Sequence, residues 1–198
     1  MRMSAAGLGA LLALMLLAGC RTLTHPLPPG APYAERRAQL QALPHFSLKG
    51  RVALSANGNG FNANLRWAQD RTRSQLALEG PLGVGGLQIT ADGESLQMVT
   101  SHGDRIADQA AHAELIARLG FDVPIASLRY WVLGVPDPAS AADESVDAVQ
   151  QRLTGLSQDG WQVTYAAYTN AAGEVLPSRL TLERESVRVR LFVEDWQL

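Results

Sequence analysis

From Phe46 to Met98 the apolar residues return at every second position, and a period of two is the pattern of a strand with one buried face. Phe46, Leu48, Gly50, Val52 and Leu54 make the first run, and Phe61, Ala63, Leu65 and Trp67 the second. The pairs Leu76 and Leu78, Leu87 and Ile89, and Leu96 and Met98 continue it. Short turn signals, "ANGNG", "AQDRTR", "GPLGVGG", "ADGE" and "SHGD", separate the runs, so the strands are expected to form an antiparallel meander. The alternation resumes in "GWQVTYAAY", "SRLTLERE" and "VRVRLFVEDW", where Val187, Val189, Leu191 and Val193 lie opposite Arg188 and Arg190.

Helical spacing interrupts this pattern. In "YAERRAQLQAL" an apolar stripe of Tyr33, Leu40 and Leu43 predicts a short helix that ends before Pro44. Ala111, Leu115, Ile116 and Leu119 predict a second helix stopped by Gly120. A third is expected in "IASLRYWVLG" after Pro124, with Ser127 as its cap and Gly134 as its end. One long antiparallel sheet with few helices has two economical packings, a flat sheet with helices on one face or a curled sheet with helices in its mouth. The number of strands favours curling, so the chain is expected to be mainly β with α and to enclose an apolar chamber. Whether that chamber is filled is left open by the sequence.

The first twenty residues read as an export signal: Arg2, then the short apolar run "LGALLALMLLAG", then an abrupt stop. The run is too short to span a bilayer. Its end, "LAGC", resembles the lipobox of bacterial lipoproteins, which implies cleavage before Cys20 and acylation of that cysteine. Cys20 is the chain's only cysteine, so no internal disulfide competes for it. Residues 1–19 are therefore expected to be a cleaved signal, 20–32 a lipidated tether rich in proline, and 33–198 one folded domain. Each buried methylene contributes about 0.8 kcal/mol, so several acyl chains would hold the protein on a membrane durably. In lipoproteins an aspartate after the lipidated cysteine resembles an inner-membrane retention signal. The residue here is Arg21, which points to the outer membrane with the domain in the periplasm.

Signals for catalysis are sparse. The chain has no G-x-S-x-G elbow, no H-E-x-x-H and no G-x-x-x-x-G-K-[ST] phosphate loop. His25 falls in the tether, and His45, His102 and His112 are scattered as solvated or satisfied side chains. Asp137, Asp143, Glu144 and Asp147 follow no calcium-loop spacing and read as a solvated connector. No cofactor and no metal are expected. With 17 Lys+Arg against 19 Asp+Glu there is no basic excess of the kind that nucleic acid selects.

Taken together, the lipobox, "FSLKGRVAL", "LRW", "LALEGPLG", "GFDVPIASLRYWVLGVP", "LSQDGWQVTYAAY", "LPSRLTLE" and "VRLFVEDWQL" resemble the LolB family of outer-membrane lipoprotein receptors. The resemblance covers nearly all of the mature chain. It implies an incomplete antiparallel β-barrel, a half-barrel, with a helical lid over an apolar cavity. It also implies transfer without catalysis: acylated lipoprotein cargo arrives from a LolA-like periplasmic carrier and leaves for outer-membrane phospholipid, the receptor acting as a monomer. In the family the "GPLG" loop protrudes with a leucine that enters the membrane. Leu82 stands in that place, with Pro81 stiffening the approach and Gly83 permitting the return.

Parity selects Leu65, Trp67, Leu76, Leu78, Leu87, Ile89, Leu96 and Met98 from the strands as lining for acyl chains, with Ile116 and Trp131 from the lid. Arg51 and Arg66 read as a solvated strand face, with attraction of an acidic carrier or lipid head groups as the sharper alternative. The main rival function is a lipid-anchored envelope-assembly scaffold with a filled core. A lipid-modifying enzyme is the second, with Ser127 and His112 as its nearest nucleophile and base.

Overall fold

The computed structural model describes residues 32–80 and 86–198. Cys20, Pro81, Leu82 and Gly83 lie outside the described residues. Helix α1 (Tyr33–Gln41) leads into strands β1 (His45–Ala56), β2 (Asn59–Asp70), β3 (Arg73–Glu79), β4 (Gly86–Asp92), β5 (Ser95–Thr100) and the short β6 (Arg105–Ala107). Helices α2 (Asp108–Leu119) and α3 (Ile125–Trp131) follow, and the chain returns through β7 (Ala142–Asp147), β8 (Arg152–Gln158), β9 (Trp161–Ala171), β10 (Glu174–Arg184) and β11 (Val187–Gln197).

All eleven strands form one antiparallel sheet in the order β6-β5-β4-β3-β2-β1-β11-β10-β9-β8-β7. The first and last strands meet at its centre, and β6 and β7 are left as separate edges, so the curled sheet stays open. The expected meander is present in two halves joined through β1 and β11.

A bulge at the central seam helps the sheet curl. The β1–β11 register shifts between Lys49 and Gly50, opposite Val193 and Asp195. Leu191, Val193 and Trp196 are all buried because the extra residue turns the strand after Val193. A Cβ on Gly50 would be driven into the Phe192 carbonyl oxygen, so the close approach of the two backbones requires glycine. The β9–β10 pairing is likewise irregular around Pro177, which has no N–H for the ladder; its carbonyl accepts from Trp196 Nε1 at 3.0 Å.

Sequence periodicity missed three strands, the short β6 and the pair β7 and β8. The acidic stretch expected to be a solvated connector is β7, and β8 follows it, with Leu153 and Leu156 buried. Its carboxylates are used structurally: Asp147 accepts from the N–H groups of Val149 and Gln150 at 2.8 Å, and Glu144 accepts from Arg37 at 2.7 Å and from the Tyr33 hydroxyl. Burial, reinforced by Glu144, pushes the Tyr33 hydroxyl above its ordinary range, so it remains a donor at neutral pH. Arg36, nominally on a solvent face, is buried and donates to the carbonyls of Gln151 and Val175 at 3.1 and 2.8 Å. These contacts clamp α1 to β7, to the turn that follows it and to β10. Helix α3 starts directly after Pro124 with no side-chain cap, and Ser127 Oγ donates instead to Asp137 Oδ2 at 2.8 Å.

Gly50→Ala is expected to destabilise the protein by about 3 kcal/mol or more, because overpacking falls on backbone that a side-chain rotation cannot relieve. Urea unfolding followed by tryptophan fluorescence measures this. A loss under about 1 kcal/mol would show that the seam yields.

Candidate functional site

The concave face of the sheet and the two helices after β6 enclose a cavity of about 100 Å³. Its lining is apolar throughout. Strands supply Val52, Leu54, Phe61, Leu65, Trp67, Leu76, Leu78, Ile89, Trp161, Leu182, Val189 and Leu191. The α2 C-terminus, the segment after it and α3 supply Leu119, Phe121, Val123, Pro124, Ile125, Leu128 and Val132. Such a space offers no acid, base or nucleophile; its chemistry is the exclusion of water from hydrocarbon.

Of the positions that parity selects, Leu65, Trp67, Leu76, Leu78 and Ile89 line this space. Leu87, Leu96 and Met98 are buried but absent from the lining; α2 packs against β5 and covers that part of the sheet. Ile116 is 42% exposed, since Ala111, Leu115 and Leu119 carry the buried stripe of α2. Trp131 is fully buried outside the cavity, 6.2 Å from Trp161 between ring centroids. Val52, Leu54, Val189 and Leu191 were legible as strand positions, but nothing in the alternation marks which stretch of a strand faces the open space. Leu119, Phe121, Val123 and Ile125 straddle a helix end, where neither period applies.

The two helices over the cavity are attached differently. Trp131 Nε1 donates to Gln158 Oε1 at 2.8 Å, and that oxygen also accepts from the Asp137 N–H at 2.9 Å. Gln158 Nε2 donates to the Asp137 and Ser140 carbonyls at 2.7 and 3.0 Å, and Tyr165 donates to the Trp131 carbonyl at 3.0 Å. Arg129 Nη2 reaches the Leu43 carbonyl at 3.2 Å. Helix α3 is thus pinned by a buried polar network that is costly to open. For α2, the described polar ties to the sheet are two exposed contacts at 3.4 Å, Ser95 Oγ to Asp108 and Asn57 Nδ2 to the Gly120 carbonyl. Its remaining hold is apolar.

A site for a drug-sized ligand occupies about 300–1,000 Å³, so the cavity as it stands is too small for a long hydrocarbon chain. Admission requires the elements around it to move; α2, which lends the lining its last residue, Leu119, is the helix whose movement breaks the fewest buried polar contacts. The candidate enzyme pair is not assembled: among the described residues no hydrogen bond joins Ser127 to His112, and the Ser127 hydroxyl is committed to Asp137. On the outer face, Arg51 pairs with Glu194 at 2.7 Å and Arg66 pairs with Glu79. Exposed pairs of this kind contribute about 0–1 kcal/mol.

A family model described as outer membrane lipoprotein LolB matches residues 44–196. This chain belongs to the LolB family. The outer-membrane lipoprotein LolB of Nitrosococcus oceani is 33% identical over 191 residues, covering 95% of each chain. That of Stutzerimonas stutzeri is 33% identical over 188 residues, covering 92% of this chain and 91% of its own. A LolA superfamily protein from Nitrosomonas europaea superimposes with a TM-score of 0.53 at 11% identity, over 85% of this chain and 94% of its own. That likeness concerns the fold, the open antiparallel half-barrel with helices over its concave face.

A Cβ at Gly120 would lie 3.3 Å from Ala56 Cβ, just short of disulfide spacing across the junction of α2 with the sheet, and a cysteine there carries the strain of a left-handed residue in the oxidised and reduced forms alike. The double variant Ala56→Cys, Gly120→Cys is therefore expected, when oxidised, to lose uptake of a fluorescent long-chain fatty acid and to regain it on reduction. Equal uptake in both states would show that α2 is not the moving wall.

Proposed function

We propose that this LolB family member accepts acylated lipoproteins from a LolA-like soluble carrier and passes them to the inner leaflet of the outer membrane. It is held there through acylated Cys20, with the folded domain facing the periplasm. The observation that carries this reading is the wholly apolar cavity on the concave face of the sheet, bordered by the end of a helix fastened by apolar contacts. Transfer is physical, with no cofactor and no covalent step, and a single copy of the chain suffices.

The methylene arithmetic supports the need for such a protein. A triacylated cargo would lose tens of kcal/mol by entering water bare, at about 0.8 kcal/mol per methylene. Its chains must pass from one apolar enclosure to the next. The handover runs downhill when the receptor buries the chains better than the carrier and the bilayer buries them better than the receptor. Equal affinity of cargo for carrier and receptor in an exchange measurement would contradict that ordering.

Leu82 is assigned to the release step. In the sequence it falls between Gly80, just after β3, and Gly86, at the start of β4, in a connection where a polar residue would ordinarily serve. Burying one leucine in lipid contributes about 1.5–3 kcal/mol, too little to anchor a protein and enough to bring a loop into the bilayer surface. Pro81 and Gly83 flank Leu82 in the sequence, and a proline fixes its own φ.

Leu82→Glu is expected to leave uptake of a labelled lipoprotein from the carrier unchanged and to reduce its delivery to liposomes at least ten-fold. The two steps are separated by trapping the receptor–cargo complex before liposomes are added. Unimpaired delivery would return Leu82 to an ordinary turn.

A further inference from the structure

The inward face of β10 reads Leu180, Leu182, Arg184 toward its end: two buried leucines and then a cation. Leu182 lines the cavity, and so does Trp161 on the neighbouring strand. The Arg184 guanidinium lies over the Trp161 ring, 4.7 Å from its centroid. Trp161 also meets Phe121, edge-on at 5.7 Å between ring centroids, and Trp131 at 6.2 Å. Arg184 therefore borders an apolar cavity at the end of the barrel where Gly80, Gly86 and Gly120 also lie.

Among the described residues Arg184 forms no ion pair and no side-chain hydrogen bond. Two nearby carboxylates are engaged elsewhere, Glu183 with Arg188 at 2.6 Å and Asp159 with the Ser140 hydroxyl at 2.8 Å, and the adjacent Glu185 makes no ion pair with Arg184. Stacking on an indole holds a guanidinium in place while leaving its N–H fork unspent. That fork matches the geometry of a phosphate, to which it donates two parallel charge-assisted hydrogen bonds.

We propose that Arg184 is the head-group site for a second class of ligand, a phospholipid whose acyl chain enters the cavity and whose phosphate accepts from the guanidinium. The inference rests on the cavity admitting acyl chains, as the proposed transfer function requires. The acyl and glyceryl groups of a lipoprotein present only neutral carbonyl acceptors, so a charged fork at the rim discriminates in favour of phosphate. Phospholipid then occupies the receptor between deliveries, and incoming cargo displaces it by supplying more buried methylenes.

The test uses the full chain with Cys20→Ala, which removes the acylation site, and two soluble probes, dihexanoylphosphatidylglycerol and dihexanoylglycerol, titrated by calorimetry. The first is expected to bind about ten-fold more tightly, as one charge-assisted contact at a partly exposed site implies. Arg184→Gln should bring the ratio to about one by weakening only the phosphatidyl probe, and its retained affinity for dihexanoylglycerol shows that it is folded. Arg184→Lys should keep part of the preference, and Arg179→Gln, on the outer face beside Phe192, all of it. An unchanged ratio in Arg184→Gln, or no preference in the parent chain, overturns the head-group site and leaves the cavity reading intact. Failure of both probes to bind the parent chain overturns the cavity reading itself.

Discussion

The apolar concave face of the sheet has to be covered, and the chain has little with which to cover it. Eleven strands present Leu, Val, Phe, Met and Trp inward from β1 to β11, while the helices α1, α2 and α3 are short. Closing the barrel would remove the demand, but β6 and β7 do not pair. Curling at the Gly50 bulge reduces the exposed area and leaves a residue of uncovered surface, the cavity. The space is thus a consequence of an open sheet with too few helices.

The polar contacts divide the lid. Helix α1 is held at one edge through Arg36, Arg37, Gln41 and Tyr33, and α3 through the Trp131–Gln158–Asp137 network. Both are fixed by groups that would be left unsatisfied on separation. Helix α2 carries Glu114 and Arg118 bonded to each other rather than to the sheet, so its attachment depends on Ala111, Leu115 and Leu119.

Much of this was legible in the sequence. Alternation placed β1 to β5 and β9 to β11, and the 3.6 period placed α1 and α2, with Gly120 in the left-handed conformation at the end of α2. Strand β7 was hidden because Asp143, Glu144 and Asp147 are the composition of a connector; at the sheet edge one face meets solvent and the other meets the cationic side of α1. Ser127 looked like a helix cap because serine is a favoured N-cap residue, and the buried Asp137 that takes its hydrogen bond lies ten residues away. The cavity lining was partly legible for a related reason. Parity tells which face a residue occupies, whereas membership of the cavity depends on where α2 stops, which is a property of packing. The misplacement of Ile116 and Trp131 follows: both are helical, and the side of a helix that faces an open space is set by the elements around it.

The apolar attachment of α2 also determines what its displacement requires. A surface held by hydrogen bonds resists substitution, because an intruder must reproduce donors and acceptors at fixed angles. A surface held by dispersion and water exclusion asks only for hydrocarbon of about the right volume. Under the proposed transfer function, an alkyl chain entering beside α2 would replace one set of methylene contacts with another, so the work of displacing the helix would largely be returned by the guest. Helix and ligand would then be interchangeable partners for the same apolar wall, and opening would require no external source of energy.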